Sequence, residues 1–101
     1  MTKIIKWLDA NHIPFEVRDK SSPAIKQIAI VLERDLVWVN GYGENMMWNK
    51  EILITQDAYK KYSTTIATGY NKFTTLIYRT GKQTDIIIGL TQYFEKSNTK
   101  Q

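Results

Sequence analysis

Gln27-Ile28-Ala29-Ile30-Val31-Leu32-Glu33-Arg34-Asp35-Leu36-Val37-Trp38-Val39-Asn40 is the stretch that sets the fold. Its β-branched and aromatic side chains favour extended backbone. Ile28, Ile30 and Leu32 fall on one face of a strand, Ala29 and Val31 on the other. Gln27–Glu33 therefore reads as a strand in the interior of a sheet, apolar on both sides. Arg34-Asp35 is a polar pair between two apolar runs. It predicts a tight hairpin turn into a second strand, Leu36–Asn40.

Downstream, Asn40-Gly41-Tyr42-Gly43-Glu44 reads as a loop whose glycines can take positive φ. Glu51–Thr55 reads as a strand. Gln56–Thr68 is read as a helix: Asp57 sits in its first turn, Tyr59, Tyr62 and Ile66 share a face, and Gly69 stands where a C-terminal cap belongs. Ser63-Thr64-Thr65-Ile66 argues the other way, because β-branched and hydroxyl residues suit strands better than helices. Phe73–Arg79 and Thr84–Leu90 read as a second hairpin joined by Thr80-Gly81-Lys82-Gln83. A short helix over Thr91–Lys96 follows, with Ser97–Gln101 as a frayed tail.

Upstream, Ile4, Ile5 and Leu8 form an apolar stripe at helical spacing, with Thr2 as a capping residue. Pro14 ends this helix near Asn11–His12. Phe15–Asp19 alternates apolar and polar, the period of a strand, and Ser21-Ser22-Pro23 marks a turn. Helices and strands do not alternate regularly. The expectation is an α+β fold over residues 1–101: one small domain, a mostly antiparallel sheet, an N-terminal helix and one or two further helices packed on it. Its expected core is Ile28, Ile30, Val37, Ile77, Ile86 and Ile88 in the sheet, with Ile5 and Leu8 packed against them.

The chain has 101 residues, 43% apolar and 24% charged, the balance of one folded domain. It has no cysteine, so neither disulfides nor thiolate metal sites can form. Charges interrupt the apolar residues of Met1–Lys6, unlike a signal peptide, and no run is long enough to cross a bilayer. A cytoplasmic location, with no membrane contact, is the expectation. The abundance of Lys, Ile, Asn and Tyr points to a genome low in GC, of the kind that phages and mobile elements carry.

Enzyme motifs are absent. Gly41 and Gly43 make one G-x-G without a third glycine or a following helix. His12 is the only histidine, which excludes a metal site built on several, and it stands where a helix ends before a proline. No Glu-x-Lys occurs to support metal-dependent cleavage; Glu16-Val17-Arg18 carries the wrong base. A metal-dependent enzyme ranks third among the readings. No catalytic residue, metal site or cofactor is expected.

One segment stands out. Between Asp57 and Asp85 there is no acid, while Lys60, Lys61, Lys72, Arg79 and Lys82 are interleaved with Tyr59, Tyr62, Tyr70, Phe73 and Tyr78. Cations neutralise phosphates and aromatic faces stack on bases. The leading expectation is a non-enzymatic binding domain for nucleic acid or a nucleoprotein, using Lys60, Lys61, Tyr70, Lys72, Arg79 and Lys82. The net charge of +4 is compatible with it. The plainer account makes Tyr59, Tyr62 and Phe73 core and the lysines a solvated face. The rival function is a protein-binding regulator or inhibitor of a host protein that uses Trp38, Tyr42 and Trp48, near Met46 and Met47. Trp and Met give large contact areas at interfaces. Exposure of Tyr42 and Trp48 would favour it.

Overall fold

The computed structural model describes residues 1–19, 25–69 and 72–99. Its elements are α1 (Thr2–Ala10), β1 (Glu16–Asp19), β2 (Lys26–Val39), β3 (Asn45–Gln56), β4 (Tyr62–Gly69), β5 (Lys72–Thr80) and α2 (Gln83–Thr99). The five strands form one sheet in the order of the chain, β1-β2-β3-β4-β5, every neighbouring pair antiparallel. Short connections at 40–44 and 57–61 suit such a meander. An α+β fold with an antiparallel sheet is what the strand pattern implied.

Register explains the core. Ile28 pairs with Ile54 and Ile30 with Ile52, and Ile52 pairs in turn with Ile66. These side chains share one face of the sheet, where Ile4 and Leu8 of α1 and Ile86 and Leu90 of α2 cover them. Each helix uses an i, i+4 pair, so a narrow stripe suffices to seat it. Ile4, Leu8, Ile52, Ile54, Ile86 and Leu90 are fully buried.

The end of α1 is built by the chain itself. Ile13 N–H donates to Leu8 O at 2.9 Å and His12 N–H to Asp9 O at 3.1 Å, with His12 at φ 54. This is the paired hydrogen-bond pattern that closes helices with a left-handed residue. His12 holds that position through its backbone. At the other end Thr2 does not cap the helix. Gln83 Oε1, at the start of α2, accepts from Lys3 N–H at 2.9 Å and Ile4 N–H at 3.2 Å. The side chain of one helix thus satisfies two open donors of the other.

Three local expectations are corrected. Arg34-Asp35 is no hairpin turn: β2 runs unbroken through it, with register shifts between Val31 and Glu33 and between Glu33 and Leu36. Asp35 takes φ 58, and its N–H donates to Asn49 Oδ1 at 3.1 Å. A turn-forming residue here makes a β-bulge instead. Gln56–Thr68 is not a helix. Asp57 Oδ1 accepts from Tyr59 N–H and Lys61 N–H, Lys60 takes φ 59, and the chain reverses into β4. Asp57 is therefore a turn residue, closing on its own backbone.

Thr84–Leu90 is not a strand but the first half of α2. α2 continues to Thr99; Lys100 and Gln101 lie outside the described residues, as does the predicted turn Ser21-Ser22-Pro23. The expected core also changes. Ile28, Ile30 and Ile86 are buried, but Ile86 arrives on a helix; Val37 is 63% and Ile88 55% exposed.

Candidate functional site

β2 and β3 outrun their neighbours. β1 pairs with β2 only over residues 26–29, and β4 pairs with β3 only over 51–56. From Glu33 to Lys50 the sheet is two strands wide and forms a projecting arm. The radius of gyration, 14.6 Å, exceeds the roughly 13 Å expected of a compact chain this long, as a projection requires.

Pairing along the arm is Leu36 with Trp48, Val37 with Met47, Trp38 with Met46 and Val39 with Asn45. Alternation therefore sorts the side chains. Leu36, Trp38, Met46 and Trp48 lie on one face; Val37, Val39 and Met47 lie on the other. Val37, Val39 and Met47 are 63%, 57% and 64% exposed, and Trp38 is 36% exposed. Leu36, Met46 and Trp48 are half-buried. At the tip, Asn40 Oδ1 accepts from Tyr42 N–H and Glu44 N–H, and Gly43 turns the chain at φ 79. This leaves Tyr42 91% exposed. No charged residue occurs in 36–43 or in 45–49.

The base of the arm is fixed electrostatically. Glu16 of β1 accepts from Arg34 and from Arg18 Nη2, and Arg18 Nη1 donates to Glu51 at 2.6 Å. The Arg34 guanidinium, then that of Arg18, holds the Glu16 carboxyl below the usual carboxylate range. Glu51 in turn raises the pKa of Arg18. The charged chain Arg34–Glu16–Arg18–Glu51 ties β1, β2 and β3 together where the sheet narrows.

A second feature lies at the opposite end of the sheet. There Lys26 pairs with Gln56, Gln56 with Tyr62, and Tyr62 with Thr80. Lys60, Lys61 and Lys82 belong to the connections at this end, and Arg79 to the last turn-side residues of β5. Lys61 Nζ lies 3.1 Å from where a Cβ on Gly81 would stand. Two acids share the site. Asp57 Oδ2 accepts from Arg79 Nε at 3.2 Å, and Asp85 accepts from the Thr80 hydroxyl. Backbone donation, chiefly from Lys61 N–H, holds the Asp57 carboxyl below its usual range. Arg79 also lies over the Tyr59 ring, 5.7 Å from its centre.

Of the six residues expected to bind nucleic acid, four therefore gather at one end. Lys72, opposite Gly69, stands at the far end of β5 from Thr80, on the order of 26 Å away at strand rise. Tyr70 lies outside the described residues. Sequence reading missed Lys26, which is separated from the others by thirty residues or more and carries no local signal.

The aromatic set is brought closer together. Trp38 and Trp48 share a face of the arm and Tyr42 tips it. Met47 was already placed beside this set, whereas Val37 and Val39 were missed because alternating β-branched residues read as buried strand. Among the described residues, no three His, Cys, Asp or Glu side chains are placed to hold a metal ion, and no helix is long and apolar enough to cross a membrane. Comparison with models of known families, with curated proteins and with solved structures finds no match.

Proposed function

We propose that this chain is a protein-binding module whose working surface is the β2–β3 arm. The arm's uncharged apolar surface carries the proposal. Val37, Trp38, Val39, Tyr42 and Met47 are half of the ten exposed large apolar side chains among the described residues. Singly exposed apolar residues need no explanation, whereas a contiguous group on a projection marks an interaction site. A two-stranded ribbon is marginal by itself, and docking supplies the missing packing.

The test is site-specific photocrosslinking. A photoreactive residue at position 42 or 47 should give adducts in extracts of the native host, and one at Glu95 on α2 should not. Tyr42→Ala should abolish the adducts formed from position 47. Because Tyr42 is solvent-facing, that substitution should change stability by no more than about 0.5 kcal/mol in chemical denaturation. Equal labelling from the arm and from α2 would refute the proposal.

A second reading, binding of nucleic acid, is favoured by the gathering of Lys60, Lys61, Lys82 and Lys26 with Arg79. Each phosphate contact on a single strand contributes about −0.7 to the slope of log affinity against log salt. Three or four contacts give a slope between about −2 and −3 on that rule. In a fluorescence-anisotropy titration, Lys60→Glu with Lys82→Glu should weaken binding more than about tenfold, the loss expected when such contacts become repulsive. Lys72→Glu should have little effect. No binding of single strands or duplex at low salt would end this reading.

A further inference from the structure

The two connections at the cationic end of the sheet meet side by side. Arg79 lies over the Tyr59 ring, 5.7 Å from its centre, and Lys61 Nζ stands 3.1 Å from the place that a Cβ on Gly81 would take. Lys60, Lys61, Arg79 and Lys82 are exposed there, and so are Tyr59 and Tyr78. Among the described residues, Lys60, Lys61 and Lys82 form no ion pair. No acid stands between Asp57 and Asp85, and both of those are half-buried and already engaged. Asp85 accepts from the Thr80 hydroxyl.

Asp57 organises the rest. Its Oδ1 accepts from Tyr59 N–H at 2.9 Å and from Lys61 N–H at 3.0 Å, and its Oδ2 accepts from Arg79 Nε at 3.2 Å. One carboxylate thus fixes both the backbone that carries Tyr59 and the guanidinium that lies over its ring. Groups held in place before binding lose little freedom on binding.

We propose that the ligand of this end is a single-stranded nucleic acid, with a base stacking on the Tyr59–Arg79 platform that Asp57 positions. This rests on the second reading above and adds the form of the ligand and the role of Asp57. Charge alone would accept any polyanion. Exposed rings among the cations narrow the choice, because an aromatic face and a guanidinium plane both stack on an open base. A duplex keeps its base faces stacked inside, and an acidic peptide offers charge without a base. A single strand offers phosphates to Lys60, Lys61 and Lys82 and a base to Tyr59 at once.

The experiment is fluorescence anisotropy at low salt with labelled probes of equal length: single-stranded DNA, single-stranded RNA, a DNA duplex, and an abasic strand that keeps the phosphates and lacks the bases. A strand with bases should bind at least about tenfold tighter than the abasic strand or the duplex, the scale of one stacked base. Tyr59→Ala should remove that advantage and leave abasic binding unchanged, whereas Tyr59→Trp should keep it. Tyr59 is exposed, so circular dichroism should show the same fold. Asp57→Asn makes the site more positive, and charge alone then predicts tighter binding. Loss of the Arg79 anchor predicts the opposite: the base-bearing strand should weaken at least about threefold as the platform loosens, and the abasic strand should not. Should that variant not fold, Arg79→Lys keeps the charge, removes the plane and provides the same comparison.

Equal affinity for base-bearing and abasic strands would overturn the inference, as would Tyr59→Ala without effect or Asp57→Asn with tighter binding of the base-bearing strand. Polyglutamate that displaces the strand at equal charge concentration would overturn it too and assign this end to an acidic protein. Failure of the stacking is separable from failure of the second reading. If all probes bind alike and Lys60→Glu with Lys82→Glu weakens each, the phosphate contacts stand and the single strand is retired. If no probe binds at low salt, both fall.

Discussion

Replacing Ile54 with alanine is expected to destabilise the fold by about 2–5 kcal/mol, the range for deleting buried aliphatic side chains. Ile54 is fully buried on the middle strand, between Ile28 and Thr64, beneath both helices. Strands on both sides hold the site open, so the cavity cannot easily collapse. In a protein with roughly 5–15 kcal/mol to lose, much of the stability goes. Ile88→Ala provides the contrast. Ile88 lies on the outer face of α2, and alanine is the better helix former, so the change should stay within about 0.5 kcal/mol. Both are read from chemical denaturation. Comparable losses at the two sites would mean that residues 84–90 are a buried strand and that the helical assignment is wrong.

Gly89→Val should cost about 3 kcal/mol, although valine is a better helix former than glycine. A Cβ at Gly89 would stand 2.7 Å from Ile77 Cγ1 and 2.9 Å from Ile77 Cδ1, closer than carbon atoms approach. The missing side chain is what lets α2 lie against β5. Ile77→Ala in the same chain opens space at that contact and should recover part of the loss, with a coupling of roughly 1–2 kcal/mol. Thermal melting reads it directly: about 1 kcal/mol moves the midpoint of a domain this size by roughly 4–8 °C. Additive losses in the double variant would place the two side chains out of contact.

Gly89 also shows why part of the fold was hard to read. Ile86-Ile87-Ile88 followed by glycine looks like the end of a strand, since β-branched residues favour sheets. The helical signal was present at longer range. Ile86, Leu90, Tyr93 and Phe94 stand at i, i+4, i+7 and i+8, and the structure packs all four on the core. At Gln56–Thr68 the spacing of Tyr59, Tyr62 and Ile66 imitates a helix, while the Ser-Thr-Thr-Ile run carries the strand signal. Tyr62 and Ile66 are both buried, but on alternate positions of a strand, whereas Tyr59 is exposed in the turn.

The central strands were legible because Ile28, Ile30, Ile52 and Ile54 repeat with a period of two. Their length was not, because Asp35 serves a bulge as well as it serves a turn. That ambiguity hid the arm. The aromatic set at Trp38, Tyr42 and Trp48 was visible from residue type alone. Val37 looked like core, yet Val37, Val39 and Met47 are each more than half exposed.

The hydrogen bonds from Lys3 and Ile4 to Gln83 span 80 and 79 residues of chain. Every strand, by contrast, finds its partner in the next strand along. The order of assembly follows from that difference. Each neighbouring hairpin closes a short loop, an entropically modest step, so the meander can zip from any turn. Seating α1 beside α2 closes nearly the whole sequence and gains little until the sheet and α2 already exist. On loop-closure grounds α1 is expected to be the last piece to dock. A sheet awaiting α1 would leave part of the cluster that holds Ile28 and Ile54 uncovered, an aliphatic face open to association.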